Sequence, residues 1–269
     1  KSEIKYTRDH KVMKTIILAG GWGTRLGQLS ELIPKPMVYI GNRPVLWHIM
    51  KIYSHYGFND FIIALGVKGD IIKDYFFNFE SRNNDFTVDC SSGNVNFHSK
   101  HNESDWKVTL VDTGLNTLKG GRIKRLEPFL DDGINMLTYG DGVADIDINA
   151  LVEFHKSHGK TVTFSGVHPS GRFGEFEDQD NKVFSFQEKP NRGRAFINGG
   201  FMVFNRNLLD HLTDDEDCDF EFGALEKLAR EGEVMVYKHK SLWECMDHER
   251  DVEHLNELWE KGKPFWKIW

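Results

Sequence analysis

Short apolar, β-branched runs alternate along this chain with stretches whose apolar positions recur every three to four residues. That alternation is the pattern of βαβ units wrapped around a mostly parallel sheet. The first strand is predicted over 15–19, Thr15-Ile16-Ile17-Leu18-Ala19, with a glycine-rich loop directly after it. The next helix starts at Pro44, which suits a first helical turn, places Val45, Leu46, Ile49, Met50, Tyr53 and Tyr56 on one face, and stops at Gly57. Further strands are expected over 61–65, 108–111, 135–139, 162–167, 183–187, 201–204 and 234–237, and further helices over 69–78, 147–158, 221–230 and 249–261. Residues 78–105 are polar, rich in Asn, Ser and His, and lack a clear period, so they read as an insertion or hairpin region within one domain spanning 12–269. Residues 1–11 look like a loose leader.

Composition narrows the picture. At 269 residues the chain is long enough to bury a sizeable core without disulfides or structural metals. Cys90, Cys218 and Cys245 are far apart and odd in number, which suits free thiols in a reducing cytoplasm better than a disulfide frame. No apolar run is long enough to span a bilayer, so no membrane partner is expected. A net charge of −7 argues against a nucleic-acid polymer as partner but permits a local basic pocket. Trp243, Trp259, Trp266 and Trp269 crowd the C-terminus, where they either dock the last helix and tail or meet another subunit.

Candidate chemistry begins at Leu18-Ala19-Gly20-Gly21-Trp22-Gly23-Thr24-Arg25-Leu26, at the carboxyl end of the first strand, where open α/β sheets bind ligands. It fits neither the dinucleotide fingerprint, because Leu26 stands where a small residue is needed, nor the P-loop, because Gly-Lys-Ser/Thr is absent. Glycines still let backbone N–H groups approach phosphates, and Arg25 supplies a charged fork; a tight strand-to-helix turn is equally compatible. Lys35 follows between Pro34 and Pro36, and the prolines suggest a stiff, extended backbone presenting a preset cation. Asp141, between Gly140 and Gly142 after a strand, can reach an ion that bridges phosphates. Asp145-Ile146-Asp147 spells the D-x-D of metal-dependent glycosyltransferases, although Asp147 sits where a helix N-cap belongs. His98 with His101, and His155 with His158, lack the further ligands of a zinc site. The acidic run Asp214-Asp215-Glu216-Asp217 reads as a solvated loop capping the next helix.

The glycine loop with Pro34-Lys35-Pro36 resembles the signature of the sugar-1-phosphate nucleotidyltransferases. Longer blocks, among them Leu46-Trp47-His48-Ile49-Met50-Lys51, Gly120-Gly121-Arg122, Tyr139-Gly140-Asp141-Gly142, Phe186-Gln187-Glu188-Lys189-Pro190, Ile197-Asn198-Gly199-Gly200-Phe201 and Met246-Asp247, resemble the branch that uses CTP and glucose 1-phosphate. The resemblance implies a Rossmann-like mixed, mostly parallel sheet flanked by helices, of the kind shared with GT-A glycosyltransferases. It implies catalysis by Arg25 and Lys35, Mg²⁺ held by Asp141 and Asp247, and nucleotide contacts from Leu18 through Arg25 and from Lys35, Thr117, Arg122 and Gly140. Glu188, Lys189, Asn198 and Gly199 would face the sugar phosphate, with Lys189 on its phosphate. It also implies hexameric assembly and a supply of CDP-sugars to surface-polysaccharide synthesis. Trp22, Ile33 and His248-Glu249 depart from the family pattern, and His248 is expected to alter the sugar pocket.

Overall fold

The computed structural model describes residues 13–27, 31–169, 175–179, 182–187 and 196–269. The expected leader, Glu188 and Lys189 lie outside the described residues. The main sheet has eight strands: β1 (Lys14–Leu18), β2 (Asp60–Leu65), β3 (Lys107–Asp112), β4 (Ile134–Tyr139), β5 (Val162–Val167), β6 (Ile197–Asn198), β7 (Met202–Asn205) and β8 (Val234–Lys238). Neighbours run β3, β2, β1, β4, β7, β5, β8, and Gly166 pairs with both Asn198 of β6 and Lys238 of β8 on the two edges of β5. The pairs β1–β2, β1–β4, β2–β3 and β5–β8 are parallel, while β7 runs antiparallel to β4 and β5. The expected mixed, mostly parallel sheet is therefore present.

Five helices do most of the covering: α1 (Val45–His55), α2 (Gly69–Phe77), α3 (Lys119–Arg125), α4 (Ile148–His158) and α5 (Glu249–Glu260). The period-two alternation of β1 sorts its side chains between two cores. Ile17 packs with Leu46, Ile49, Tyr53, Ile72 and Leu151 beneath α1, α2 and α4, whereas Ile16 and Leu18 pack with Ile123, Phe204, Phe220 and Leu228 on the opposite face. Both faces being covered, β2 is buried at every position. The expected helix over 221–230 is two pieces, a π-helix at Phe220–Leu225 and an α-helical turn at Glu226–Arg230. Its cap is Asp219, which accepts from Phe222 N at 2.8 Å, and not the exposed acidic run before it. Helix α3 carries two glycines in its first turns, which hid it from a reading by apolar period.

The region 78–105 forms a short helix, Phe79–Asn83, and an antiparallel hairpin of Phe86–Asp89 with Asn94–Phe97. Phe86 opposes Phe97 and Val88 opposes Val95, and all four are exposed. At the C-terminus the rings dock against α1: Trp266 is fully buried and donates its Nε1 to His48 Nδ1 at 3.3 Å, while Trp259 and Trp269 pack edge-on or tilted around His48. Among the described residues no helix is long and apolar enough to cross a membrane.

Candidate active site

The chain runs outward from β1 to β2 and β3 and then returns to place β4 on the other side of β1. That reversal is a topological switch point, and it opens a crevice beyond the carboxyl ends of β1 and β4. The crevice is a cleft of about 850 Å³ lined by Leu18 through Gly23, Arg25, Lys35, Leu115 to Lys119, Arg122, Tyr139 to Asp141, Ile197, Asn198, Trp243, Cys245 and Asp247, among others. A second cleft of about 670 Å³ lies against β3 and is lined by Phe76, Phe77, Phe79 and Trp106 among others, without any of these groups.

Each glycine of the loop has its own reason. A side chain on Gly20 would lie 2.3 Å from Arg122 Nη1, Gly21 opens onto free space, and Gly23 has φ +65° before the 3₁₀ turn Thr24–Leu26. Leu26 is fully buried and pins that turn, leaving Trp22 and Arg25 exposed at the cleft. Arg122 is the buckle beneath the loop. Its Nη1 donates to Leu65 O, Thr113 Oγ1 and Gly114 O, and its Nη2 to Gly20 O and Leu115 O, all within 2.7–3.2 Å. Arg122 also lines the cleft, where a nucleotide contact is expected of it, while its two Nη groups hold the loop in shape. Thr117 is likewise buried, its Oγ1 accepting from Arg125 Nη1 at 2.8 Å. Gly140 must be glycine, because a Cβ there would meet Leu18 O at 2.8 Å.

Lys35 opens a 3₁₀ turn, Lys35–Met37, rather than standing in an extended run. Met37 N donates to Pro34 O and Val38 N to Lys35 O, while Pro36, lacking an N–H, needs no partner there. The turn aims Lys35 Nζ at two carboxylates, 2.6 Å from Asp141 Oδ2 and 2.6 Å from Asp247 Oδ1. Asp141 and Asp247 are 106 positions apart, and a two-stranded ladder joins them. Trp243–Cys245 pairs antiparallel with Gly142–Ala144, and Met246 N donates to Asp141 O at 2.9 Å. Arg25 Nη1 reaches Asp247 Oδ2 at 3.4 Å. Burial works against both partners' charges, yet the Lys35 hydrogen bond and charge, with help from Arg25, hold Asp247 below the ordinary carboxylate range. Burial would likewise lower Lys35, but the two carboxylates outweigh it and hold its ammonium above the usual value.

Lys35 and the exposed Arg25 face the two carboxylates without using all of their lone pairs, so acceptor capacity is left at this point. The donor set is hard oxygen, which fits a Mg²⁺-like cation; the nearby Cys245 thiol is kept protonated, its pKa pushed up to about 12 by burial and then by the aspartates. Among the described residues no group of three or more His, Cys, Asp or Glu is arranged to hold a metal. The protein offers Asp141 and Asp247, so further ligands would come from substrate phosphates and water, as is usual for Mg²⁺.

The remaining expected residues divide. Asn198 lines the cleft and donates Nδ2 to Tyr139 OH at 3.1 Å. Gly199 is buried, its carbonyl taken by Trp243 Nε1 and the space beside its Cα filled by Val167, so it supports the wall from behind. Among the described residues His248 is not part of the cleft lining; it caps α5 in a box with Asp251. Asp147 caps α4 through Ala150 N, and Asp145 holds His239, Ser241 and Leu242, which accounts structurally for the D-x-D. His98 and His101 bond different partners, Thr87 and Glu80. His155 and His158 both turn to Thr163 Oγ1. Lys119 and Tyr139 line the same cleft and both bond Glu221, a meeting that the sequence signals only through the tyrosine beside Gly140-Asp141.

An acid-and-lysine cluster at the switch point of a mostly parallel sheet suits reactions at phosphate, so fold and site define an α/β protein equipped for phosphate chemistry. The chain belongs to the nucleotidyl transferase family, whose model matches residues 14–263. It is 48% identical over 258 residues to the glucose-1-phosphate cytidylyltransferase of Salmonella typhi, covering 96% of this chain and 100% of that one. It is 39% identical to the probable glucose-1-phosphate cytidylyltransferase of Bacillus subtilis, with coverage of 96% and 100%. The fold matches that of a UDP-glucose pyrophosphorylase with a TM-score of 0.66 at 15% identity, over 93% of this chain and 99% of that one.

Proposed function

We propose that the protein transfers the cytidylyl group of CTP to α-D-glucose 1-phosphate, releasing pyrophosphate and CDP-glucose. The convergence of Lys35, Asp141 and Asp247 beside the glycine loop carries the proposal, and the close full-length relatives support the choice of substrates. A phosphate oxygen of glucose 1-phosphate attacks the α-phosphorus of CTP, and the bond from that phosphorus to the β-phosphate's bridging oxygen breaks. The second pKa of a phosphate monoester is about 6, so the nucleophile is already largely dianionic and needs no general base. The glycine loop, fastened by Arg122, positions the triphosphate. Lys35 and Arg25 offset charge that develops on the phosphates. Asp141 and Asp247 would hold Mg²⁺, which neutralises and orients phosphate oxygens when bound. Lys189, Glu188 and Asn198 are assigned to the acceptor side by family resemblance.

We place the enzyme in the cytoplasm, where its nucleotide substrate is found, feeding CDP-sugar synthesis. We further propose that several copies assemble; the exposed apolar pairs of the hairpin support this. The function is tested by incubating the protein with CTP, UTP or dTTP, Mg²⁺ and a panel of sugar 1-phosphates while measuring pyrophosphate. CTP with glucose 1-phosphate is expected to be the fastest pair, and release of no pyrophosphate with any pair overturns the proposal.

A further inference from the structure

The two carboxylates at the cleft are aimed by different means. Asp141 follows directly on β4, a strand buried in the middle of the main sheet. Asp247 has no such strand behind it: it lies between the short strand Trp243–Cys245 and the start of α5. On one side of it, Met246 N donates to Asp141 O at 2.9 Å. On the other, a single oxygen, Asp251 Oδ2, accepts from Asp247 N at 3.0 Å and from His248 N at 2.8 Å.

The bond from His248 N is one that a helix start calls for. Asp251 is the third residue of α5, and its carboxylate closes a capping box with His248 at the N-cap. The bond from Asp247 N serves no such need, because Asp247 lies before the cap and outside the helix. The two N–H groups belong to the peptide planes on either side of the Asp247 Cα, so one oxygen fixes both of its soft dihedrals and with them the direction of its side chain. That direction brings Asp247 Oδ1 to 2.6 Å from Lys35 Nζ and Oδ2 to 3.4 Å from Arg25 Nη1. Asp251 is itself a firm anchor: its side chain is mostly buried, and a carboxylate in the first turn of a helix is favoured by the helix dipole. Among the described residues it is not part of the cleft lining.

We propose that Asp251 is a positioning residue of the reaction: through the N–H of Asp247 it holds that carboxylate beside Asp141, so the start of α5 sets the affinity of the pair for a divalent cation. This rests on the metal role given above to Asp141 and Asp247. Asp251 acts only through Asp247 and touches no substrate. Supports of this kind behind a metal ligand are typically worth about 10–100-fold in metal affinity.

Four variants separate this role from helix capping. Asp251→Ala removes both hydrogen bonds, and Asp251→Asn keeps a carbonyl oxygen able to accept them. Asp251→Glu installs the residue usual at that place in a capping box but sets its oxygens one carbon further out. Asp147→Ala is the control, since Asp147 caps α4 through Ala150 N and is not part of the cleft lining among the described residues. Binding of Mn²⁺ alone is titrated by the paramagnetic resonance of the free ion, without turnover, and melting is followed by circular dichroism. Asp251→Ala is expected to weaken Mn²⁺ binding by about 10–100-fold, and Asp251→Glu by about fivefold or more with a melting temperature within a few degrees of wild type. Asp251→Asn is expected to stay within about threefold of wild type, and Asp147→Ala to melt earlier while keeping the wild-type Kd. Wild-type Mn²⁺ affinity in Asp251→Ala and Asp251→Glu overturns the proposal, as does a loss in Asp147→Ala or Asp251→Asn equal to that of Asp251→Ala. Should Asp251→Ala not fold, Asp251→Glu alone decides. Wild type that binds no Mn²⁺ overturns the metal assignment and this role with it, an outcome distinct from undiminished binding in the variants.

Discussion

Lys35 sits 2.6 Å from two carboxylates, and its pKa is raised despite burial because both partners favour the charged form. Replacing Asp141 by Ala leaves Lys35 paired with Asp247, so the fold is expected to persist while turnover falls by about three orders of magnitude or more, ~4 kcal/mol of barrier. Pyrophosphate release with circular dichroism checks both halves, and near-normal activity would refute the assignment. Gly20 carries a second prediction at this scale. A methyl 2.3 Å from Arg122 Nη1 must displace the guanidinium from its acceptors, so Gly20→Ala is expected to cost about 1–3 kcal/mol in urea unfolding and to weaken CTP binding. Unchanged stability and unchanged affinity together would contradict the buckle.

At the scale of elements, α1 and the C-terminal tail are held together through His48. Its Nδ1 accepts from Trp266 Nε1, so its Nε2 carries the proton and donates to Ile40 O at 2.9 Å. Burial drives His48 down to about 4, and burial drives His155, hydrogen-bonded to Thr163, down to about 4 as well. In the unfolded chain both titrate near 6.5, so between about 6.5 and 4 the unfolded state binds more protons and stability falls as pH falls. Each histidine accounts for on the order of 3 kcal/mol across that window. Urea unfolding at pH 7, 6 and 5 is expected to show the decline, and His48→Leu to flatten part of it; a level profile would sink the idea. Trp266→Ala, which empties a fully buried site, is expected to cost about 3–5 kcal/mol in the same assay.

On the scale of the whole molecule, the acidic total and the cationic pocket are reconciled by geometry. A net charge of −7 coexists with Lys35 and Arg25 at a cleft whose own aspartates await a divalent cation. Assembly belongs here too: light scattering is expected to give a mass several times 31.1 kDa, six-fold by family resemblance, and a monomer would contradict it. Much was legible in the sequence because its cause is local. Alternating apolar positions placed β1, a glycine after a periodic run ended α1 near Gly57, and Asp147 announced its cap, since strand period, helix stop and N-cap each depend on neighbours a few residues away. Helix α3 and the turn at Lys35 escaped, because glycines and prolines there follow packing rather than propensity. By itself the sequence determined the βαβ frame, the glycine loop and a family likeness that named Asp141 and Asp247. Only the tertiary structure decided that those carboxylates meet on Lys35, that Arg122 serves the loop, and that Glu221 stands behind Tyr139. Each of these depends on strands and side chains about a hundred residues apart, whose meeting is settled by burial and ladder pairing across the fold.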